Sequence, residues 1–357
     1  MTIWFLWVTL IGVRHEQSCA FLYRPFTVTV QSKPLRPPGD GELLVQTLIS
    51  AISPGTEMLV YRGQLPTDIA LDETITALAG ATLYPLQYGY AAVGRVVAIG
   101  PNVSETWHRR LVFAFNPHET HFLTRPEQLL PLPADMLPET AVFLPNMETA
   151  VSFLMDGQPM IGEQVAVLGQ GIVGLLATAL LARHPLSRLM TVDHYPLRRE
   201  WSERLGAHAS LHPDDDILAH LQADSPYAGA DLTYELSGSP AALNQAIDIT
   251  GYNGRILVGS WYGQKQAPLN LGGRFHRSHM RLISSQVSHI APQWSGRWSK
   301  TRRMQIAWQM LANLRPEQLV THRFSFADAA AAYRLLDEQP ETAVQVLLTY
   351  DTETAVV

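Results

Sequence analysis

The chain has 357 residues, of which 46% are hydrophobic and 16% are charged, and its formal net charge is -6. This length and composition predict a globular protein of two lobes, and the mildly acidic charge gives no general attraction for nucleic acid or a membrane surface. Cys19 is the one cysteine, which excludes an intrachain disulfide and any zinc site built from several thiolates. We expect a cytoplasmic protein.

The chain begins with an apolar run from Ile3 to Val13. This run is too short to span a bilayer, and it lacks the basic region and the cleavage site of a secretory signal. We therefore expect residues 1–19 to be an N-terminal extension or the product of an upstream start codon. The first strand is predicted to begin at Phe21.

Short strand-like runs separated by Pro and Gly continue as far as Leu132. Three of them are Phe26–Val30, Glu42–Leu48 and Ala91–Ile99, and the turn Arg36–Gly41 separates the first two. Close strand spacing with such turn residues predicts a partly antiparallel, β-rich lobe.

The pattern changes to alternating helices and strands after Glu139. Helices are predicted at Glu139–Met155, Gly171–Ala182, Pro196–Leu205, Pro240–Thr250, Lys300–Leu314 and Phe326–Asp337, and strands at Glu163–Leu168, Leu189–Asp193, Asp231–Leu236, Arg255–Gly259 and Ala343–Tyr350. Alternation at this spacing predicts an α/β fold with a doubly wound parallel sheet covered on both faces.

A glycine-rich turn, Gly169-Gln170-Gly171-Ile172-Val173-Gly174, follows the apolar strand that ends at Leu168. A strand before this motif and a helix after it are typical of dinucleotide binding. Gly169 would permit a tight turn, Gly171 would let the backbone approach a pyrophosphate, and Gly174 would let the helix pack closely. The start of the helix, with Ile172 and Val173, would face the phosphates.

Asp193 ends the next predicted strand, where a carboxylate can accept hydrogen bonds from the adenosine ribose. A carboxylate would repel a 2′-phosphate, so the sequence favours NAD over NADP. Arg198 or Arg199 could instead receive such a phosphate, so NADP stays possible. Ser237 and Ser260, which follow the next two strands, complete the predicted cofactor site.

From Phe21 onward the chain resembles the medium-chain dehydrogenase/reductase superfamily. Gly55-Thr56-Glu57, the stretch Gly89-Tyr90-Ala91 with Val93-Gly94, Leu205-Gly206-Ala207 and Phe324–Tyr333 resemble landmarks of that family. The resemblance implies a GroES-like catalytic domain over residues 20–155, a Rossmann domain over 156–294 and a C-terminal return over 295–357. It also implies a homodimer formed by edge pairing of two Rossmann sheets.

The sequence departs from the zinc-containing members of that family at every expected ligand. Pro54, preceded by Ser53, stands where the first ligand cysteine is expected, and Tyr90 and Ala91 replace a histidine and a glutamate. The third ligand would fall near Pro145 or Asn146, and the structural site of four cysteines is missing. Because a catalytic zinc needs three good donors, we expect no metal.

Two stretches resemble more narrowly the bacteriochlorophyllide dehydrogenase branch. They are Ser50–Glu57 and Ser285–Arg303, the second with Gly296-Arg297-Trp298 and Arg302-Arg303. The reaction that this branch implies is oxidation of a hydroxyethyl group on a tetrapyrrole to acetyl.

Without zinc, a side chain must stabilise or protonate the alkoxide that hydride transfer creates. Thr56 matches the proton-relay hydroxyl of the family. Tyr90 replaces a zinc ligand, so its phenol is predicted either to donate a proton to the substrate oxygen or to fill space left by the metal.

Two further residues are candidate acids or proton carriers. Glu148 could have a raised pKa in apolar surroundings, or could be a structural charge at the start of a helix. His118 is predicted on a polar loop at the pocket rim as a proton shuttle; the pair His118 and His121 lacks a third metal ligand. Thr149 is predicted to contact the cofactor.

The sequence therefore predicts a zinc-independent alcohol or ketone oxidoreductase acting on a small or medium-sized molecule. A second interpretation is an NADPH-dependent quinone or enoyl reductase. A third, of another class, is a dinucleotide-binding protein without catalytic activity.

Overall fold

The computed structural model describes residues 16–65, 83–222 and 229–351, which form three β-sheets. The strands are β1 Glu16–Arg24, β2 Thr27–Pro34, β3 Leu43–Ile52, β4 Leu86–Gln87, β5 Ala92–Ile99, β6 Leu111–Ala114, β7 His121–Thr124, β8 Leu129–Pro131, β9 Gln164–Leu168, β10 Arg188–Val192, β11 Ala209–Leu211, β12 Ala230–Glu235, β13 Thr250–Val258, β14 Arg281–Ser284, β15 Val320–Ser325 and β16 Gln345–Thr349. The helices are α1 Thr56–Tyr61, α2 Pro138–Ala141, α3 Leu144–Gly157, α4 Ile172–Leu181, α5 Pro196–Arg204, α6 Ile217–Gln222, α7 Pro240–Ile249, α8 Lys300–Leu314 and α9 Ala329–Glu338.

Two sheets make up a β-rich lobe. One has the order β2-β1-β4, and the other has the order β15-β16-β3-β5-β6-β8, with β7 also paired to β3. Pairing is antiparallel except between β15 and β16. The chain therefore returns to this lobe with its last two strands.

The first strand begins earlier than predicted. Residues 16–19 belong to β1, Glu16 pairs with Pro34, and Cys19 is fully buried. The expectation that an extension reaches residue 19 and the first strand begins at Phe21 was wrong. Glu, Gln and Ser have low strand propensity, so the pairing with β2 determines the start of β1. The apolar run Ile3–Val13 lies outside the described residues.

The third sheet is parallel and has six strands in the order β11-β10-β9-β12-β13-β14. The order reverses between β9 and β12, and ligands of such sheets bind at the carboxyl ends of the strands beside that reversal. Strand β9 is buried along its whole length, because helices cover both faces of the sheet. The predicted α/β fold class is confirmed.

The single helix predicted over Glu139–Met155 is two helices, α2 and α3. Pro145 lies in the first turn of α3, where a residue without a backbone N–H is tolerated. Helix α3 packs against α4 and α8 and so connects the two lobes. In the part of the chain that the structure describes, no helix has both the length and the apolarity that a membrane span requires.

Candidate active site

The glycine-rich turn lies between β9 and α4, beside the reversal of strand order. Gly169 has a φ of +93°, which favours glycine, and its N–H donates to the carbonyl of Val192 at 2.8 Å. Helix α4 starts at Ile172 with Gly171 as its N-cap. The first N–H groups of a helix have no partner within the helix, so they can receive an anion.

The three glycines of the turn have different surroundings. A Cβ at Gly169 would lie 2.5 Å from the Cα of Ser237, and a Cβ at Gly174 would overlap the carbonyl oxygen of Gly169. A Cβ at Gly171 would meet no atom within 4 Å. Gly169 and Gly174 are therefore required by close packing of the protein on itself. Gly171 faces open space in front of the helix.

Buried side chains hold the turn from the inside. Gln170 is fully buried, its amide nitrogen donates to the carbonyls of Val167 and Gly169, and it accepts the hydroxyl of Thr178 at 2.9 Å. The Ile172 side chain is buried in the core beneath α4, and the partly buried Val173 packs against it. The turn is fixed in place by the protein alone.

Asp193 is bonded to the glycine-rich turn. Its carboxylate accepts the Gln170 N–H at 2.7 Å and the Tyr195 N–H at 2.9 Å. The side chain is buried at the carboxyl end of the parallel sheet, just beyond β10. Because each carboxylate oxygen can accept more than one hydrogen bond, Asp193 retains capacity for the hydroxyls of a ribose.

Arg198 binds a segment distant in sequence, and its predicted contact with the cofactor stays a prediction. Its guanidinium donates to the carbonyls of Pro340 and Ala343 at 3.0 and 3.1 Å and stacks on Tyr195. It therefore binds the segment that precedes β16, a contact distant in sequence that could not be predicted from local spacing. Arg199 donates to the backbone carbonyl of Asp193 at 2.9 Å, so it lies beside the predicted cofactor site.

Glu235, which the sequence analysis missed, is fully buried at the end of β12. It accepts the Ser237 N–H at 2.8 Å and the hydroxyls of Ser237 and Tyr262. Burial and then the carboxylate of Glu235 raise the pKa of Tyr262, so this phenol stays a donor. A carboxylate at the end of an apolar strand was the available signal.

The two predicted cofactor serines take part in this same cluster. The Ser260 hydroxyl donates to the Glu235 carbonyl at 3.3 Å and accepts the Gly238 N–H at 2.8 Å. The Ser237 hydroxyl donates to the carboxylate of Glu235. Both hydroxyls thus hold the loops after β12 and β13, and their predicted contact with the cofactor stays a prediction.

The two lobes meet next to this cluster. The side-chain amide of Gln264 donates to the carbonyl of Leu65 at 2.6 Å, and its backbone N–H donates to the carbonyl of Gln64 at 3.3 Å. Trp261 is 38% exposed and follows β13 at the same end of the sheet. The loop after β13 therefore connects the parallel sheet to the β-rich lobe.

Glu148 forms a buried ion pair with Arg303. It accepts two hydrogen bonds from Arg303, at 2.8 and 3.1 Å, and both side chains are buried. Burial raises the pKa of Glu148, and the charge of Arg303 opposes that shift. Arg303 also donates to the carbonyls of Val287 and His289. Arg303 on α8 therefore binds this carboxylate, and a catalytic role for Glu148 stays a prediction.

Thr149 follows Glu148 on α3 and is half-buried. Its hydroxyl donates to the carbonyl of Pro145 at 2.8 Å, one turn back in the helix. This hydroxyl is already used within the helix, which is a common arrangement for threonine. The predicted contact of Thr149 with the cofactor stays a prediction.

Thr56 and Tyr90 lie in the β-rich lobe. Thr56 begins α1, is half-buried, and its N–H donates to the Ser53 hydroxyl at 3.3 Å. Tyr90 is half-buried in the loop between β4 and β5, with its ring edge-on to Tyr88 at a centroid distance of 6.2 Å. Neither side chain is sealed in the core, as a residue that meets substrate requires.

His118 is fully buried and does not lie at a pocket rim as predicted. Its Nε2 lies 2.9 Å from Glu57 Oε2, and its Nδ1 lies 2.7 Å from the Ser50 hydroxyl. The predicted position at the rim was wrong, because these long-range partners draw the ring into the lobe, while the proton-shuttle role stays a prediction. His121 lies beside the Thr120 hydroxyl at 3.3 Å.

Comparison with known proteins completes this description. The family model for zinc-binding dehydrogenases matches residues 173–303. The D-guloside 3-dehydrogenase of Escherichia coli K12 is 25% identical over 87% of this chain and 93% of its own length. Two solved structures are similar to 94% of this chain, each with 17% sequence identity. One is a short chain alcohol dehydrogenase from E. coli CFT073 in complex with NADH, of which 99% is covered (TM-score 0.75). The other is a zinc-binding dehydrogenase from Sinorhizobium meliloti 1021 bound to NADP, of which 100% is covered (TM-score 0.73).

The chain is therefore an oxidoreductase that is similar over most of its length to proteins named as dehydrogenases, and its residues 173–303 match the zinc-binding dehydrogenase model. Compared with zinc-binding dehydrogenases, the chain has an unusual set of residues at the positions where the sequence resemblance places a catalytic zinc. Pro54, Tyr90, Ala91 and Pro145 are poor donors for zinc, which prefers Cys, His and carboxylates. Within residues 16–65, 83–222 and 229–351, no group of three or more His, Cys, Asp or Glu side chains is placed to hold a metal ion. The residues present do not fit that metal.

Proposed function

We propose that this chain is an NAD(H)-dependent dehydrogenase that interconverts a secondary alcohol and a ketone without a catalytic zinc ion. The observation that carries the proposal is the open face of Gly171 beside the buried carboxylate of Asp193. A relative named for dehydrogenation of D-guloside at position 3 supports the alcohol chemistry. A bound nicotinamide would supply the hydride acceptor or donor.

The proposed cofactor site uses the backbone more than the side chains. The start of α4 would bind the diphosphate through the N–H groups of Ile172 and Val173, and Asp193 would accept the ribose hydroxyls. The negative charge of Asp193 favours NAD. Arg199, which donates to the carbonyls of Asp193 and His194, is the residue that would admit NADP.

Thr56 and Tyr90 are the proposed handlers of the substrate proton. The alkoxide that forms or is consumed at the substrate oxygen needs a donor within hydrogen-bonding reach. Thr56 and Tyr90 are only half-buried, whereas Glu148 and His118 are buried and bound by Arg303 and Glu57. Partial exposure therefore makes these two hydroxyls the candidates. A phenol or an alcohol can donate to that oxygen without a metal.

The assembly and the natural substrate are extensions of this proposal. Strand β14 ends its sheet, and Leu282 on it is 37% exposed, so we propose a cytoplasmic homodimer formed through this edge. The resemblance to the bacteriochlorophyllide branch makes a hydroxyethyl tetrapyrrole one member of the substrate panel, beside polyols and small ketones.

The test measures NADH and NADPH oxidation with a panel of ketones and a panel of enones and quinones. We expect turnover of ketones with NADH, and a loss of turnover in Tyr90→Phe or Thr56→Val with NADH affinity retained. Turnover confined to enones or quinones with NADPH would instead support a double-bond reductase. Tight NADH binding with no turnover on either panel, and no effect of Tyr90→Phe, would support a non-catalytic binding protein.

A further inference from the structure

Five buried side chains form a continuous polar chain through the β-rich lobe, which we call the His118 network: Ser50, Glu57, His118, Tyr333 and Tyr350. The Tyr350 hydroxyl lies 2.7 Å from Ser50 Oγ, which lies 2.7 Å from His118 Nδ1. On the other side of the ring, Nε2 lies 2.9 Å from Glu57 Oε2, which also accepts the Tyr333 hydroxyl. The network joins strand β3, the loop before β7 and the residue after β16 with helices α1 and α9.

Each hydrogen bond of the network can be given a donor and an acceptor. If His118 carries its proton on Nε2, it donates to Glu57, while Nδ1 accepts from Ser50 and Ser50 accepts from Tyr350. Burial and then the Glu57 charge raise the pKa of Tyr333 well above its usual value, so Tyr333 remains a donor. With the Ser53 N–H at 2.8 Å, Glu57 then receives three donors, which a buried carboxylate requires.

One end of the network holds the turn that carries Thr56. Glu57 Oε1 accepts the Ser53 N–H, and the Ser53 hydroxyl accepts the Thr56 N–H at 3.3 Å. These two bonds close the turn between β3 and α1 from inside the lobe. The position of Thr56 therefore depends on the orientation of the Glu57 carboxylate.

The centre of the network holds the loop that carries Tyr90. The backbone N–H of His118 donates to the Tyr88 carbonyl at 3.3 Å. The ring of His118 packs on Gly89, where a Cβ would lie only 2.9 Å from Nε2, and Gly89 has a φ of +125°. Tyr90 follows directly, so the imidazole sets the path of the backbone that presents the phenol.

We propose that His118 and Glu57 are positioning residues. The hydrogen bond between the His118 and Glu57 side chains fixes Thr56 and Tyr90 relative to each other. The inference rests on the proposed function, because it takes these two hydroxyls as the groups that meet the substrate oxygen. Neither His118 nor Glu57 touches the substrate. A polar pair suits this task because a satisfied hydrogen bond fixes direction, which apolar packing alone does not.

The test compares amide hydrogen exchange in the full chain and in His118→Leu, His118→Gln and Thr47→Val. Thr47 is the matched control because it lies on β3 near Ser50 and its buried hydroxyl has no hydrogen-bond partner among the described residues. We expect His118→Leu to speed exchange on the order of tenfold in peptides covering 53–57 and 88–91. Peptides from β9 and α4 should not change, and Thr47→Val should match the wild type.

His118→Gln supplies the rescue, because its side-chain amide can still donate to Glu57. Exchange in the two loops should then return to within about threefold of the wild type. Unchanged loops in His118→Leu, or faster exchange spread evenly over β5 and β6 as well, would overturn the proposal in favour of a role in overall stability. This readout needs no substrate, so it decides the proposal even if the protein turns over no alcohol or ketone.

A kinetic comparison gives the second readout. In His118→Leu, kcat should fall at least tenfold while the Kd for NADH stays within about twofold of the wild type, and His118→Gln should recover most of the lost kcat. An equal loss of NADH affinity, or no recovery by glutamine, would contradict a positioning role.

Discussion

Asp193 and Gln170 are joined by a hydrogen bond of 2.7 Å from the Gln170 backbone N–H to the Asp193 carboxylate. The residue proposed to bind the ribose therefore also fixes the turn proposed to bind the diphosphate. Substitution of Asp193 should affect both the fold of the turn and the affinity for the cofactor, and two variants can separate these effects.

Asp193→Ala should weaken NADH binding by about 1–3 kcal/mol, because hydrogen bonds to a charged group are lost. Asp193→Asn retains an acceptor for the Gln170 N–H and removes the charge, so it should unfold nearer the wild-type temperature and discriminate less against NADPH. Titration calorimetry with both cofactors measures the affinities. An unchanged NADH affinity in Asp193→Ala would show that Asp193 is misassigned.

Gly171→Val should abolish NADH binding and leave the unfolding temperature near that of the wild type. Gly171 has a φ of -64°, which valine can adopt, and a Cβ there meets no atom within 4 Å. Gly174→Ala is the matched contrast: its Cβ would overlap the Gly169 carbonyl, so this variant should lose stability. Fluorescence titration and thermal unfolding measure both. Retained NADH binding in Gly171→Val would move the diphosphate away from this turn.

Metal analysis of the purified protein should find well under one zinc per chain, because the expected ligand positions hold Pro54, Tyr90 and Ala91. Turnover should also survive prolonged dialysis against a chelator. Stoichiometric zinc that is lost together with activity, and restored with it, would refute a zinc-independent reaction.

Arg303→Met should destabilise the protein by about 3–5 kcal/mol, because it leaves the buried Glu148 carboxylate without its partner. The double variant Glu148→Met with Arg303→Met should recover much of that loss, since two apolar side chains can pack between α3 and α8. Urea unfolding of both single variants and the double variant measures the coupling. Purely additive losses would mean that the two side chains do not interact.

Cys19 should resist thiol reagents at neutral and mildly alkaline pH. Burial, then the nearby Glu119 carboxylate 3.3 Å away, raise the pKa of Cys19 from 9.0 to about 12. The higher thiol pKa in the folded chain therefore contributes to the free energy of unfolding. This contribution is complete below pH 9 and is lost as the pH rises toward 12. Ellman's reagent should label the native chain slowly at pH 8 and the unfolded chain at once. Rapid labelling of the native protein would contradict this environment.

The parts of the structure that depend on neighbouring residues could be predicted from the sequence. The glycine spacing after an apolar strand predicted a turn that opens a helix, and Asp193 was expected at the end of the next strand. The split between α2 and α3 was missed although Pro145 marked it.

The parts that depend on distant residues could not be predicted in this way. His118 and Glu57 are 61 positions apart, and Ser50 and Tyr350 are 300 apart. A histidine beside a proline and an acidic residue has the local signature of a surface loop. Only the closure of the sheet around β3 and β16 shows that this histidine is internal.

The guanidinium of Arg198 has a consequence for dissecting the protein. It joins the helix after Asp193 to the carbonyls of residues 340 and 343, near the end of the described chain. A fragment confined to the parallel sheet would lose both acceptors and the cover that α8 gives to α3. Cofactor affinity measured on such a fragment would therefore be lower than that of the whole protein. Removing residues 340–351 would weaken nucleotide binding in the same way, by removing the two acceptors of Arg198.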